Sequence, residues 1–511
     1  MSYRTWKADT AEKRIRAQLD KVRDVTIKPY VRDTDLNNLP VNCAYRVDGV
    51  HVYIDILNME ELLAVTGVEG IRSHQHTLRF LNLHYRAVAR ILSEVDAIHV
   101  DFHNQRLHAV VVKPYGDEAD RVHRAIALAQ LVIDVLRRTS EGGDDPSPAA
   151  IVRVGIDTGI ALAVNNGRRG HREPLFLGCP ANLAAKRAGG GDAPGIYLTN
   201  NARQAVGHGP VRNEDMAPLS ADEVAYSQDE ANLASTADSI LRAWDTDLDN
   251  NPIGKFEFFA HTPPLSGLDL ENLYPGNSRR QNGLSIYADI DGFTGYVAEH
   301  VNSDENAKDV VRALHVLRSE MNAVLVNDFQ GLKIRFIGDS IHGILAEGTA
   351  ANTDAVVSIT NAVLCAGALR SSFELAQEIL CREDIVCDLG LAIGMEYGPI
   401  ATTRLGVKGD MVRCSISRGV LASEREQRRC NGNQTAIGAV VKAQGPEWLT
   451  EWFGASRQES GVTYAAVRGR LAEKATATSL LRPAVAATAG ADSGFTFPDR
   501  AAKPTKPAGF A

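Results

Sequence analysis

Apolar runs and helical faces follow one another in the same order in two separate stretches of this chain. In the C-terminal half, 284–290 is a mostly apolar run of strand length. Residues 304–327 then carry Val310, Leu314, Leu317, Met321 and Val324 at steps of three and four, which predicts one apolar helix face. Runs 332–337 and 340–345 flank Gly338-Asp339, a dipeptide suited to a tight hairpin turn. A second helical pattern covers 354–375 and a strand covers 386–393. The N-terminal half repeats the order: strand 50–56, helix 71–92, hairpin around 99–112, helix 120–138, strand 151–156. The order β-α-β-β-α-β is that of a ferredoxin-like α+β sandwich, here in two copies.

The copies also match residue by residue. Tyr53-Ile54-Asp55-Ile56 resembles Tyr287-Ala288-Asp289-Ile290 at an offset of 234 (289 − 55). Phe102-His103-Asn104-Gln105-Arg106-Leu107-His108 stands against Phe336-Ile337-Gly338-Asp339-Ser340-Ile341-His342 at the same offset. Val154-Gly155-Ile156 matches Ile393-Gly394-Met395 at 239 (394 − 155). Internal repetition of this kind implies one structural unit used twice. The chain therefore divides into an extension at 1–43, a first domain at 44–206, a connector at 207–280 with a helical segment near 229–244, and a second domain at 281–472. A tail at 473–511, rich in Ala, Thr, Pro and Lys, has too little apolar surface to offset the entropy of ordering and is expected to be disordered.

Composition narrows the function classes. The 511 residues carry 55 Lys+Arg against 63 Asp+Glu, a net charge of −8, so no basic surface for a nucleic-acid polymer is expected. No secretory h-region or spanning segment is visible, and the seven cysteines show no CxxC pair. Both point to a cytoplasmic protein with reduced thiols.

The chemistry concentrates on Asp289 and Asp339. One ends the first strand of the second copy and the other sits in the hairpin turn of strands expected beside it. Two carboxylates converging there suit divalent cations and phosphate chemistry; a solvated strand end and a turn-favouring Asp are the alternative on spacing alone.

These motifs carry a resemblance. Tyr287-Ala288-Asp289-Ile290-Asp291-Gly292-Phe293-Thr294 and Lys333-Ile334-Arg335-Phe336-Ile337-Gly338-Asp339 resemble the two metal motifs of class III nucleotidyl cyclases. Val412-Arg413-Cys414-Ser415-Ile416-Ser417-Arg418 with Ala422-Ser423-Glu424-Arg425-Glu426-Gln427 is similar to bacterial pyrimidine cyclases of the Pycsar anti-phage systems. The resemblance implies two cyclase homology domains packed head to tail, with the active site across their interface. It further implies two divalent cations, Mg²⁺ or Mn²⁺, held by Asp289, Ile290 and Asp339, and a separate effector activated by the cyclic product.

Within that resemblance the two copies have complementary losses. The first keeps Asp55 but has Gln105 at the second carboxylate position, and a neutral amide cannot supply the charge of a two-metal site. It retains Leu177-Gly178-Cys179-Pro180-Ala181-Asn182-Leu183-Ala184-Ala185-Lys186, which resembles the family segment carrying the ribose-orienting Asn (Asn182) and the phosphate-binding cation (Lys186, or Arg187 in a shifted register). In the second copy Arg413 and Ser417 fall on those positions. One complete site is expected, from Asp289 and Asp339 with Asn182 and Lys186, and one pseudo-site around Asp55, Gln105, Tyr287, Arg335 and Arg413. The family's base-reading positions fall on Tyr53 and Asp101 in the complete site and on Tyr287 and Arg335 in the pseudo-site. The expected function is a pyrimidine nucleotidyl cyclase acting on UTP, then CTP, as a phosphorus–oxygen lyase active without homodimerisation. A purine cyclase and a catalytically decayed nucleotide-binding module are the alternatives. His108 and His342, at one repeated strand position, are expected to be packed core histidines.

Overall fold

The structure is a computed structural model and describes residues 3–32, 34–139, 148–166, 174–407 and 410–480. Each half is built as its hydrophobic pattern dictates. The N-terminal half has strand Cys43–Ile56, helix Ile71–Val95, hairpin strands Ile98–His103 and Arg106–Val111, helix Glu118–Arg138 and strand Val152–Asn165. The C-terminal half has strand Ser278–Asp291, helix Asp304–Ala323, strands Leu332–Ile337 and Ser340–Leu345, helix Ala355–Arg382 and strand Gly390–Val407. Both hairpins turn through a left-handed residue at the same place, Asn104 (φ 47°) and Gly338 (φ 58°). Asn and Gly are the residues that take that conformation at least cost. Each sheet is completed by strands the apolar runs did not mark, Pro174–Leu177 and Gly195–Leu198 in one half, Asp410–Ile416 and Gln434–Ile437 in the other.

The Gly155/Gly394 repeat has a packing cause. A Cβ on Gly155 would lie 2.1 Å from the Ala184 carbonyl oxygen, and one on Gly394 would lie 2.0 Å from the Gln427 nitrogen. Helices Cys179–Ala188 and Arg418–Arg428 therefore seat directly on their strands, with residues 239 apart in equivalent places.

The halves exchange arms. Ala401, Leu405, Val412, Cys414 and Ile416 of the C-terminal hairpin join the core around helix Ile71–Val95. Leu162, Val164 and Leu177 of the N-terminal half reciprocally join the core of the other half. This reciprocal packing is the head-to-tail, pseudo-heterodimeric arrangement of two ferredoxin-like α+β units.

Three features depart from sequence expectation. Residues 8–21 form a helix whose Ala11, Ile15 and Leu19 are buried in the core of the distant C-terminal half. Its Arg14 bridges Glu320 at 2.6 Å and Asp328 at 2.8 Å. The connector has two helices, Ala221–Ala231 and Ala237–Asn250, where one segment at 229–244 was expected. Asn232 ends the first in a left-handed conformation and Thr236 caps the second, so the chain breaks inside the expected segment. Helix Tyr464–Leu480 runs past residue 473, where the tail was expected to begin; 481–511 lie outside the described residues. Helix Ala355–Arg382 is long and apolar enough to cross a bilayer, but its apolar window is 83% buried within the protein, as a core helix.

Candidate active site

Strand register brings the predicted residues into rows. In the N-terminal half, Tyr53 pairs with His108 and His108 with Asp101; one step outward, Asp55 pairs with Arg106 and Arg106 with His103. Residues two apart share a sheet face, so both rows look the same way. The C-terminal half repeats them: Tyr287, His342 and Arg335, then Asp289 beside the hairpin where Ser340 pairs with Ile337. His108 and His342 are buried and stack on Tyr53 and Tyr287 at centroid distances of 4.0 and 4.3 Å.

The outer rows decide which half can hold cations. Opposite Asp55 stands Arg106, whose guanidinium lies 3.2 Å from the carboxylate and 3.3 Å from Glu424 of the other half. The position equivalent to Arg106 is Ser340, too small to fill the space beside Asp289. Asp289 and Asp339 make no ion pair among the described residues. Burial pushes the Asp289 carboxyl up to about 6, with Asp291 adding to the effect. Burial, and then the charge of Asp289, push Asp339 well above the ordinary carboxylate range. Two largely buried, mutually repelling carboxylates that form no ion pair with a protein cation among the described residues are a donor set that fits a divalent metal. No group of three or more His, Cys, Asp or Glu converges among the described residues. That also suits Mg²⁺, which takes one or two carboxylates and completes its shell with substrate oxygens and water. Ile290 buries its side chain in the core, so only its carbonyl could contribute.

A cavity of about 180 Å³ opens between the halves beside Asp339. Its wall includes Tyr53, Asp101, His103, Phe176 and Asn182 from the N-terminal half and Phe293, Thr294, Ile337 and Asp339 from the other. Phe293 and Thr294 open the helix Phe293–His300, set by Gly292 (φ 82°), and its unpaired N–H groups favour an anion. Asn182 reaches the wall on helix Cys179–Ala188. Lys186, one turn on, is exposed, forms no ion pair among the described residues and is not part of the wall. Arg187 is committed elsewhere, 3.1 Å from Glu214 and 3.2 Å from Asp215.

Two sequence assignments change. The helix equivalence places Leu421, not Arg413, at the Asn182 position, and Arg425, not Ser417, at the Lys186 position. Arg413 lies on strand Asp410–Ile416 and pairs with Glu271 of the connector, while Ser417 caps the following helix through Val420. The motif match slid because helix and strand both supply small and basic residues there. Arg335, expected in the pseudo-site, crosses the interface and lies 3.1 Å from Asp101. The two equivalent base-reading positions thus meet each other, which no pattern within one copy could reveal.

The second interface site is filled. Arg106–Asp55, Arg106–Glu424 and Arg425–Glu60 pairs cross or line it. Leu265, Leu270 and Leu273 of the connector pack with Tyr287, whose hydroxyl is buried without a partner among the described residues. Gln105 likewise leaves its Oε1 buried and unpaired among the described residues. Sequence reasoning missed His103 and Arg106; their only signal was the departure of His103-Asn104-Gln105-Arg106 from Ile337-Gly338-Asp339-Ser340.

Comparison with known proteins shows the family of the chain. No family model matches the chain. A uridylate cyclase from Pseudomonas aeruginosa is 52% identical over 481 residues, covering 93% of each protein. A uridylate cyclase from a Rhizobium species is 41% identical over 436 residues, covering 81% of this chain and 82% of that one. The crystal structure of a class III adenylyl cyclase-like ATP-binding protein from Pseudomonas aeruginosa superposes with a TM-score of 0.89 at 52% identity, over 92% of this chain and all of the other. With that identity sustained along nearly the whole length, the chain belongs to the uridylate cyclase family, within the class III nucleotidyl cyclases.

Proposed function

We propose that the protein converts UTP, and less readily CTP, into the 3′,5′-cyclic monophosphate and pyrophosphate at the single interdomain cavity. The observation that carries this is the contrast between Asp289/Asp339, largely buried with no ion pair among the described residues, and Asp55, neutralised by Arg106. Asp289 and Asp339 would hold divalent cations, which supply charge stabilisation to the phosphates and acidify the ribose 3′-hydroxyl. The protein's own task is positioning: Asn182 orients the ribose, and the N-terminus of helix Phe293–His300 receives phosphate oxygens. Lys186, with a flexible stem, is the cation assigned to the α-phosphate as its charge rises. Tyr53, stacked on His108 in the cavity wall, fills in this reading the space that a one-ring base leaves.

The product would act as a second messenger for a separately encoded effector in a cytoplasmic anti-phage response, as the resemblance to Pycsar cyclases implies. Incubation with each nucleoside triphosphate and Mn²⁺, followed by chromatography, tests the activity. Cyclic UMP as the main product is the expected result. Cyclic AMP or GMP would replace the pyrimidine assignment with a purine one, and no product with any base would leave only a nucleotide-binding module.

A further inference from the structure

We infer that His103 is a base-reading residue of this site, donating an imidazole N–H to the 4-carbonyl of uracil while Asp101 accepts the base N3–H. The inference rests on the proposed pyrimidine cyclase activity and adds the residue that senses the exocyclic group.

His103 is 5% exposed, yet it borders the cavity. Both its ring nitrogens are shielded from solvent and lack a hydrogen-bond partner among the described residues. Buried polar atoms normally find partners, and two orphans on one ring are costly unless a ligand completes them. Packing alone does not call for the ring. The equivalent position in the other half is Ile337, so the same place in the same hairpin accepts a plain aliphatic side chain.

The surroundings fix what His103 can offer. Burial, reinforced by the nearby Arg335, holds its pKa well below the ordinary value, against the pull of Asp101. A neutral imidazole carries one donor and one acceptor. His103 and Asp101 are two apart on strand Ile98–His103 and therefore face the same way. Asp101, held by Arg335 at 3.1 Å, presents carboxylate oxygens, which accept hydrogen bonds. An acceptor beside a donor matches the N3–H and O4 of uracil. Cytosine in the same pose would turn its N3 lone pair toward the carboxylate and its amino group toward the imidazole donor. Sites built to hydrogen-bond a ligand group reject the analogue that leaves them unpaired.

The experiment measures cyclisation of UTP, CTP and 4-thio-UTP by wild type, His103→Ile and His103→Gln. Isoleucine copies the equivalent residue of the other half, and glutamine keeps a neutral donor. In His103→Ile the expected result is a fall in kcat/KM for UTP of about tenfold to a hundredfold, with the UTP:CTP ratio narrowed and discrimination against the thiocarbonyl lost. His103→Gln should recover part of both. If His103→Ile does not fold, His103→Phe, which keeps a ring but removes both nitrogens, takes its place, and unchanged UTP:CTP and UTP:4-thio-UTP ratios in it overturn the inference. If wild type makes cyclic UMP while both variants keep its ratios, His103 is structural and the proposed function stands. If wild type makes no cyclic UMP, the proposed function falls and the inference with it.

Discussion

Replacing Asp289 by asparagine should destroy activity while making the metal-free protein more stable. The folded state raises this carboxyl from 3.8 to about 6, mainly through burial. A raised carboxylate pKa means that the folded state binds the proton more tightly than the unfolded one. The stabilising contribution is therefore complete at low pH and is lost as pH rises through about 6. At pH 7.5 the charge withdraws on the order of 3 kcal/mol from the fold, cut to about 1–2 kcal/mol by the partial exposure of the side chain. Asparagine removes that charge, so Tm without metal should rise by about 1–2 °C at pH 7.5 and by roughly a third as much near pH 4.5, where the unfolded carboxyl is already ionised. Saturating Mn²⁺ should raise Tm of the wild type and leave Asp289→Asn nearly unmoved, because only the intact pair binds the cation tightly. Turnover should drop by about a thousandfold or more as the metal's charge stabilisation is lost.

Asp55→Asn supplies the opposite signature. It leaves the half-buried Arg106 with Glu424 alone, which should cost about 1–2 kcal/mol of stability but preserve cyclisation measured well below Tm. Thermal melts across pH with and without Mn²⁺, paired with product chromatography, read both effects. The reasoning fails if Asp289→Asn is destabilised at pH 7.5 in the absence of metal, or if folded Asp55→Asn is inactive.

Other outcomes follow from the same geometry. Lys186→Ala should depress kcat more than it raises KM, and Lys186→Arg should keep or raise activity, whereas Arg187→Ala, which loses Glu214 and Asp215, should lower Tm with turnover largely intact. Arg335→Ala should cut UTP turnover although Arg335 comes from the metal-bearing half, because it leaves the Asp101 carboxylate without its guanidinium; steady-state kinetics decide. Specific activity should hold on dilution, since one chain supplies both faces of the cavity, and a steep loss detected by a coupled pyrophosphate assay would mean sites shared between chains. Ile15→Ala, in the N-terminal helix, should cost about 2–5 kcal/mol by opening a hole in the core of the opposite half, seen as a lowered melting midpoint.

Much of this protein is written in local pattern. Strand and helix periods are properties of the backbone, so 304–327 and 332–345 announce their elements wherever they sit. Repetition at 234 and 239 then reveals two copies of one unit. The chemical asymmetry is equally legible, since Gln105 opposite Asp339 needs only an alignment of the chain with itself. Partners across the interface are not local. Arg335 meets Asp101 because the two halves are related by a pseudo-twofold arrangement, which neither copy encodes alone. Arg106 takes the place of a cation because Glu424, some 300 residues away, helps to hold it. The shift from Arg413 to Leu421 at the Asn182 position depends on how closely one helix seats on Gly394, a contact that residue-type matching cannot see. The sequence by itself determined the elements, the repetition and the carboxylate pair. Tertiary structure alone decided which buried charges are neutralised, because desolvation and Coulomb energy depend on distances that only the packed halves establish.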